Sequence, residues 1–201
     1  MDGLTLTHKQ SLVFTSQAKF IGFGGQAGGG KSLTIRAFSI AMAMDVPNIQ
    51  IYVIRKSLVQ LRQGFMQGTT GYPALLHTLI ESGHVKINYT ALTITFWNGS
   101  VIVLKQLADD HDVDSFLGLE VNFACLDESS TVNEEYIRAV LGRLRLGSLG
   151  VPDKWKSKLP GALLCTNPGG TSADFFKRWF IEKSPPMTIF EADVEFGKGK
   201  S

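Results

Sequence analysis

The run from Phe20 to Phe38, FIGFGGQAGGGKSLTIRAF, passes from an apolar segment through five clustered glycines and Lys31-Ser32 into a helical pattern. Each glycine gives up backbone entropy on folding, so a cluster between a strand and a helix implies that something approaches the backbone there. Gly25 to Ser32 reads GQAGGGKS, a full match to G-x-x-x-x-G-K-[ST]. In such a loop, here Gly25, Gln26, Ala27, Gly28, Gly29 and Gly30, successive N–H groups curl around a phosphate. The helix starting near Ser32 adds its positive N-terminal end. Lys31 reaches the β- and γ-phosphates, and the Ser32 hydroxyl holds Mg²⁺. A glycine-rich turn with a chance lysine would not account for both the strand before and the helix after.

The rest of the chain alternates strand and helix. Strands are expected at 19–24, 51–55, 122–126 and 162–166, and helices at 32–44, 133–146 and 172–182. Segments 85–88, 92–97 and 101–106 alternate with period two, and Asn98-Gly99 supplies a turn, so an antiparallel patch is expected there. A final strand is expected at 187–190. Continuous apolar strands between helices predict an α/β fold: a P-loop NTPase with a mostly parallel central sheet, helices on both faces and an antiparallel edge patch.

In such sheets ligands bind at the carboxyl ends of strands, and three motifs fall there. The first is the glycine loop. The second is NFACLDE, an apolar strand ending in Asp127 and Glu128. Asp127 would hold Mg²⁺ and Glu128 would act as general base on the attacking water. Helix capping, supported by Ser129, Ser130 and Thr131, is the alternative for these acids. The third is ALLCTNPGG, where Thr166 and Asn167 could sense the γ-phosphate or its water; a plain Asn-Pro-Gly turn explains them equally well.

Composition bounds the partners only loosely. The 201 residues carry a net charge of +2, too little to announce a nucleic-acid binder, and no apolar run is long enough to span a membrane. Cys125 and Cys165 each sit in an apolar run and are expected as reduced core cysteines. The histidines are scattered without ligand spacing. Lys154, Lys156 and Lys158 flank Trp155 in a basic loop, suited to DNA phosphates or simply solvated.

The loop GGQAGGGKS, the strand end CLDESS and the segment CTNPGGTSADFFKRWF, in this order, resemble the ATPase domain of tailed-bacteriophage large terminases. The resemblance implies ATP and Mg²⁺ as cofactors and coupling of hydrolysis to DNA movement through Thr166 and Asn167. It implies as partners double-stranded DNA, the portal of a procapsid, a small terminase subunit and further copies in a ring. It implies work in the host-cell cytoplasm, transiently at the portal. Leu6 to Gln10 resembles the family's adenine-contacting segment, which makes Gln10 a reader of the adenine edge; an exposed amide is the alternative. The arginine that some members carry four residues before the P-loop lysine is replaced by Ala27. Positive charge on the transferring phosphate must then come from elsewhere. Arg143 and Arg145, on the helix expected after the Asp127-Glu128 strand end, are the first candidates, in trans, against a solvated or phosphate-contacting surface; Arg55 and Arg62 come after them. The family's nuclease domain has no counterpart, since Glu191, Asp193 and Glu195 make one acidic strand, so 1–201 is expected to be an ATPase domain alone. Rival expectations are a helicase-like translocase and a nucleotide-gated interaction module without sustained turnover.

Overall fold

Five of the apolar runs lie parallel, side by side, in one seven-stranded sheet. The computed structural model describes residues 5–25, 28 and 30–182. Gln26, Ala27 and Gly29 of the glycine loop, the strand expected at 187–190, and Glu191, Asp193 and Glu195 lie outside the described residues. The strands are β1 (Phe20–Gly24), β2 (Gln50–Arg55), β3 (Val85–Asn88), β4 (Thr93–Phe96), β5 (Val101–Gln106), β6 (Phe123–Leu126) and β7 (Gly161–Thr166). Their order is β1-β7-β6-β2-β5-β4-β3. The pairs β1/β7, β7/β6, β6/β2 and β2/β5 are parallel, while β5/β4 and β4/β3 form the antiparallel patch. Gly99, at φ 81°, makes the turn between β4 and β5 that Asn98-Gly99 signalled.

Alternation along the central strands divides the core in two. Val53, Cys125, Leu163 and Cys165 face one layer, formed by α1 (His8–Thr15), α2 (Lys31–Asp45), α3 (Leu58–Met66), α4 (Tyr72–Leu75) and α5 (His77–Glu81). Tyr52, Ile54, Ala124, Leu126 and Leu164 face the other, which holds α6 (Asp110–Asp114), α7 (Glu134–Leu141) and α8 (Ala173–Phe176). Both faces are therefore covered, which is why these strands read as unbroken apolar runs. Both cysteines are free and buried.

Three helices differ from the sequence reading. Helix α1 carries no apolar period in HKQSLVFT and is not signalled by pattern; a Thr7–Gln10 capping box starts it. The helix expected over 133–146 ends at Leu141, with Gly142 as its C-cap. The chain then reverses, and Leu144 makes a parallel bridge with Val121 at the amino end of β6. The apolar period over 137–144 spans two different structures, which is why it over-extends the helix. The last helix breaks into α8 and a π-helical turn, Lys177–Ile181.

Candidate active site

All parallel strands point the same way, so the carboxyl ends of β1, β7, β6 and β2 share one edge of the sheet. Gly24 lies opposite Thr166 and Ile54 opposite Leu126 in register. The glycine loop, Asp127-Glu128, Thr166-Asn167 and Arg55 are thereby gathered along this edge. The amino end of α2 opens there as well, with Gly30 as N-cap in the left-handed region at φ 71°. The positive φ favours glycine here, and a Cβ on Gly30 would also lie 2.5 Å from the Gln10 amide nitrogen and push that side chain aside.

Lys31 is buried, and its ammonium donates to the Gly25 carbonyl at 3.0 Å, inside the loop. The Ser32 hydroxyl donates to Asp127 Oδ2 at 2.9 Å. The first and second motifs, 95 residues apart in sequence, thus touch. Asp127 is 2% exposed. Burial pushes its carboxyl above the ordinary range, an effect that Arg55 and the Ser32 hydrogen bond offset only in part. One hydroxyl and one carboxylate are hard oxygen donors of the kind Mg²⁺ takes, so the pair fits that ion.

Glu128 follows in the left-handed region at φ 50°, a conformation costly for a residue with a side chain and common at functional sites. Its carboxylate Oε1 pairs with Arg55 Nη2, while Arg55 Nη1 lies 3.8 Å from Asp127 Oδ2. Arg55 therefore bridges both acids. Neither acid caps α7, which Asn133 starts, its Oδ1 accepting from the Glu135 N–H at 3.1 Å; Glu128 stands at the N-cap of a 3-10 turn, Ser129–Thr131, but its side chain makes no capping hydrogen bond there. The serines do something else. Ser129 Oγ donates to the Cys165 carbonyl at 2.9 Å, and Ser130 Oγ to the Asn167 carbonyl at 3.3 Å. The Ser172 N–H donates to the Ser130 carbonyl at 2.9 Å. The strand end carrying the acids is laced to the third motif.

Thr166 Oγ1 donates to the Asn167 carbonyl at 2.9 Å, and Asn167 Oδ1 is buried without a hydrogen-bond partner. Both residues, with Gly24 and Gly25, line a cavity of ≈530 Å³ walled by Phe176 and Phe180. Gln10 is buried, so it is not an exposed amide. Its Oε1 accepts from the Thr7 N–H at 2.8 Å and its Nε2 donates to the Gly30 carbonyl at 3.1 Å, bracing the loop from behind.

Arg143 and Arg145 are not brought to this edge. The Arg145 N–H donates to the Val121 carbonyl, and its guanidinium to the carbonyls of Gly118 and Leu119, at the opposite edge of the sheet. Arg143 lies in the turn beside it, its N–H on the Val140 carbonyl. Arg55, ranked below them from sequence, is the arginine at the acids. Strand order, which the sequence does not print, puts β2 beside β6; the available signal was an arginine ending an apolar strand. In the basic loop, Lys154 pairs with Asp45 and Lys156 with Asp153, both lysines staying exposed, while Lys158 is buried over the Trp155 ring.

A phosphate-binding loop after the first strand, with an acid pair two strands away, defines a P-loop NTPase fold. The chain belongs to the phage terminase large subunit family, which matches residues 16–197. Solved structures agree with that fold. The large terminase of a thermophilic bacteriophage, in complex with ADP, is 22% identical with a TM-score of 0.60, over 89% of this chain and 42% of that one. The Thermus phage P74-26 large terminase ATPase domain is 18% identical with a TM-score of 0.59, over 84% and 67%. The HK97 bacteriophage large terminase is 16% identical with a TM-score of 0.64, over 88% and 36%. The chain thus spans less than half the length of the first and last of these proteins. No curated protein sequence matches it.

Proposed function

We propose that this chain hydrolyses ATP with Mg²⁺ and serves as the motor domain of a terminase large subunit, driving double-stranded viral DNA through a portal into a procapsid. The observation that carries it is the Ser32–Asp127 hydrogen bond beside Lys31, which joins the phosphate loop to the acidic strand end. The thermophilic bacteriophage's terminase, of the same fold, has been solved with ADP and with ATP-gamma-S, which supports an adenine nucleotide here.

Mg²⁺, held by Ser32 and Asp127, would neutralise phosphate charge when bound. Lys31 holds the terminal phosphates, aided by the N–H groups of the loop. Glu128 Oε1 takes the proton of the attacking water, exchanging Arg55 for that water as its partner. Gln10 braces Gly30 and would turn from it to read an adenine edge. Thr166 and Asn167 carry the state of the phosphate site to the segment beyond β7, since Ser129 and Ser130 bind that segment to the acids. Arg143 or Arg145 supplies positive charge to a neighbouring copy in a ring. A small subunit, the portal and a place in the host-cell cytoplasm complete the proposal.

Steady-state hydrolysis tests it and separates an enzyme from a nucleotide-gated module. Lys31→Ala is expected to abolish turnover and weaken ATP binding. Glu128→Gln is expected to keep binding and lower kcat by roughly 10²–10⁴-fold. Near-normal turnover in either variant overturns the site.

A further inference from the structure

Arg36 sits inside α2, one and a half turns past Lys31, in the otherwise apolar or small-residue run LTIRAFSIAMAM. It is 5% exposed, and no carboxylate lies at ion-pair distance from it among the described residues. Its guanidinium instead holds the segment after β2. Nη1 donates to the Gly64 carbonyl, Nη2 donates to Thr70 Oγ1 at 3.2 Å, and the group lies 5.3 Å from the centre of the Phe65 ring. Burying a full charge on a backbone carbonyl, a hydroxyl and a ring is an expensive way to fasten a helix. An apolar residue would do it at lower cost.

Gly64, the residue so held, gives the reason. It lies in α3, where glycine is a poor helix former. A Cβ there would lie 3.2 Å from Arg55 Nη1, the nitrogen facing Asp127. The absence of a side chain at position 64 leaves the lane through which Arg55 passes to the two acids. Arg55 also donates to the Gln60 carbonyl of the same helix at 3.4 Å. One glycine of α3 is thus fastened by the arginine of the nucleotide helix and skirted by the arginine of the acid pair.

We propose that Arg36 and Gly64 are positioning residues for Asp127 and Glu128, acting through Arg55; this rests on the ATPase reading of the site. Arg36 sets where α3 lies, Gly64 keeps the lane open, and Arg55 transmits the placement to the acids.

The test is a pair of double-mutant cycles with Arg55→Ala. Gly64→Leu is expected to lower kcat roughly tenfold or more while the KM for ATP stays within about threefold, because it displaces the acids and not the phosphate loop. In the Arg55→Ala background the same substitution is expected to change kcat less than about twofold, measured under single-turnover conditions. Melting midpoints give an independent sign. The introduced leucine crowds Arg55 and lowers the midpoint when Arg55 is present. It raises the midpoint when Arg55 is absent, because leucine favours helix over glycine. Arg36→Lys keeps the charge but cannot fork between Gly64 and Thr70, and its kcat loss is likewise expected to fade in the Arg55→Ala background. Equal kcat effects and equal midpoint shifts in both backgrounds overturn the proposal. A wild-type chain with no turnover overturns the ATPase reading instead, and the midpoint cycle still decides whether Gly64 acts on Arg55.

Discussion

Burial works against Asp127 as an acid, and the direction of that effect fixes a pH dependence. Its folded pKa lies above the unfolded one, chiefly from desolvation. Between the two values the folded chain holds a proton that the unfolded chain has lost, so stability falls as pH rises through that window. In the metal-free protein at neutral pH, Asp127 is therefore a net burden, the sort of cost active sites carry. Asp127→Asn keeps an oxygen for the Ser32 hydroxyl and carries no charge. The variant is expected to match wild type near the ordinary carboxylate pKa and to be more stable than it at neutral pH in chelator, while Mg²⁺-dependent hydrolysis is lost. Denaturant melts at several pH values check this; an unchanged slope of stability with pH would refute it.

Helix α7 has eight residues, too few to hold without its ends. Asn133 caps it and Glu134 and Glu135 sit in its first turn, where negative charge is favourable. Asn133→Ala is expected to cost about 1 kcal/mol and to lower the melting midpoint by about 2–4 °C; a shift near zero would mean that packing of Ile137, Val140 and Leu141 alone places the helix. The same region marks the limit of sequence reasoning. The runs IYVIR, FACL and ALLCT were legible as parallel strands because both sides of each are buried. The glycine loop and the acids were legible because their chemistry is bound to local spacing. Strand order is not local. Nothing in the sequence says that β2 abuts β6, so Arg55 stayed hidden among four arginines. Leu144 continues the period of α7 while belonging to a bridge with Val121, and only Gly142 signalled the break.

At the scale of the whole molecule, the arginines proposed to act on a neighbour lie at the amino edge of the sheet and the phosphate site at the carboxyl edge. One copy can serve another only if unlike edges meet, which is a head-to-tail contact that closes into a ring. Specific ATPase activity is then expected to rise with protein concentration. A Glu128→Gln copy, inactive but with its arginines intact, is expected to rescue an Arg143→Ala, Arg145→Ala copy when the two are mixed, by up to roughly 10³–10⁵-fold if the arginine acts on the transferring phosphate. Activity independent of concentration, with the arginine variants fully active, would remove the basis for trans action.

The pairing of β1 with β7 sets a timetable for the nascent chain. Phe20 is made 142 residues (162 − 20) before its partner, Ala162, and among the described strands β1 has no other neighbour. Pairings so distant in sequence are slow to close. The phosphate loop therefore emerges from the ribosome well before the strand that pairs with β1. Chains stalled before residue 161 are expected to capture no ATP analogue, and capture by such chains would show that the loop assembles without β7. Until β7 is made, the chain carries its most recognisable sequence with no second strand to complete the edge on which that sequence lies.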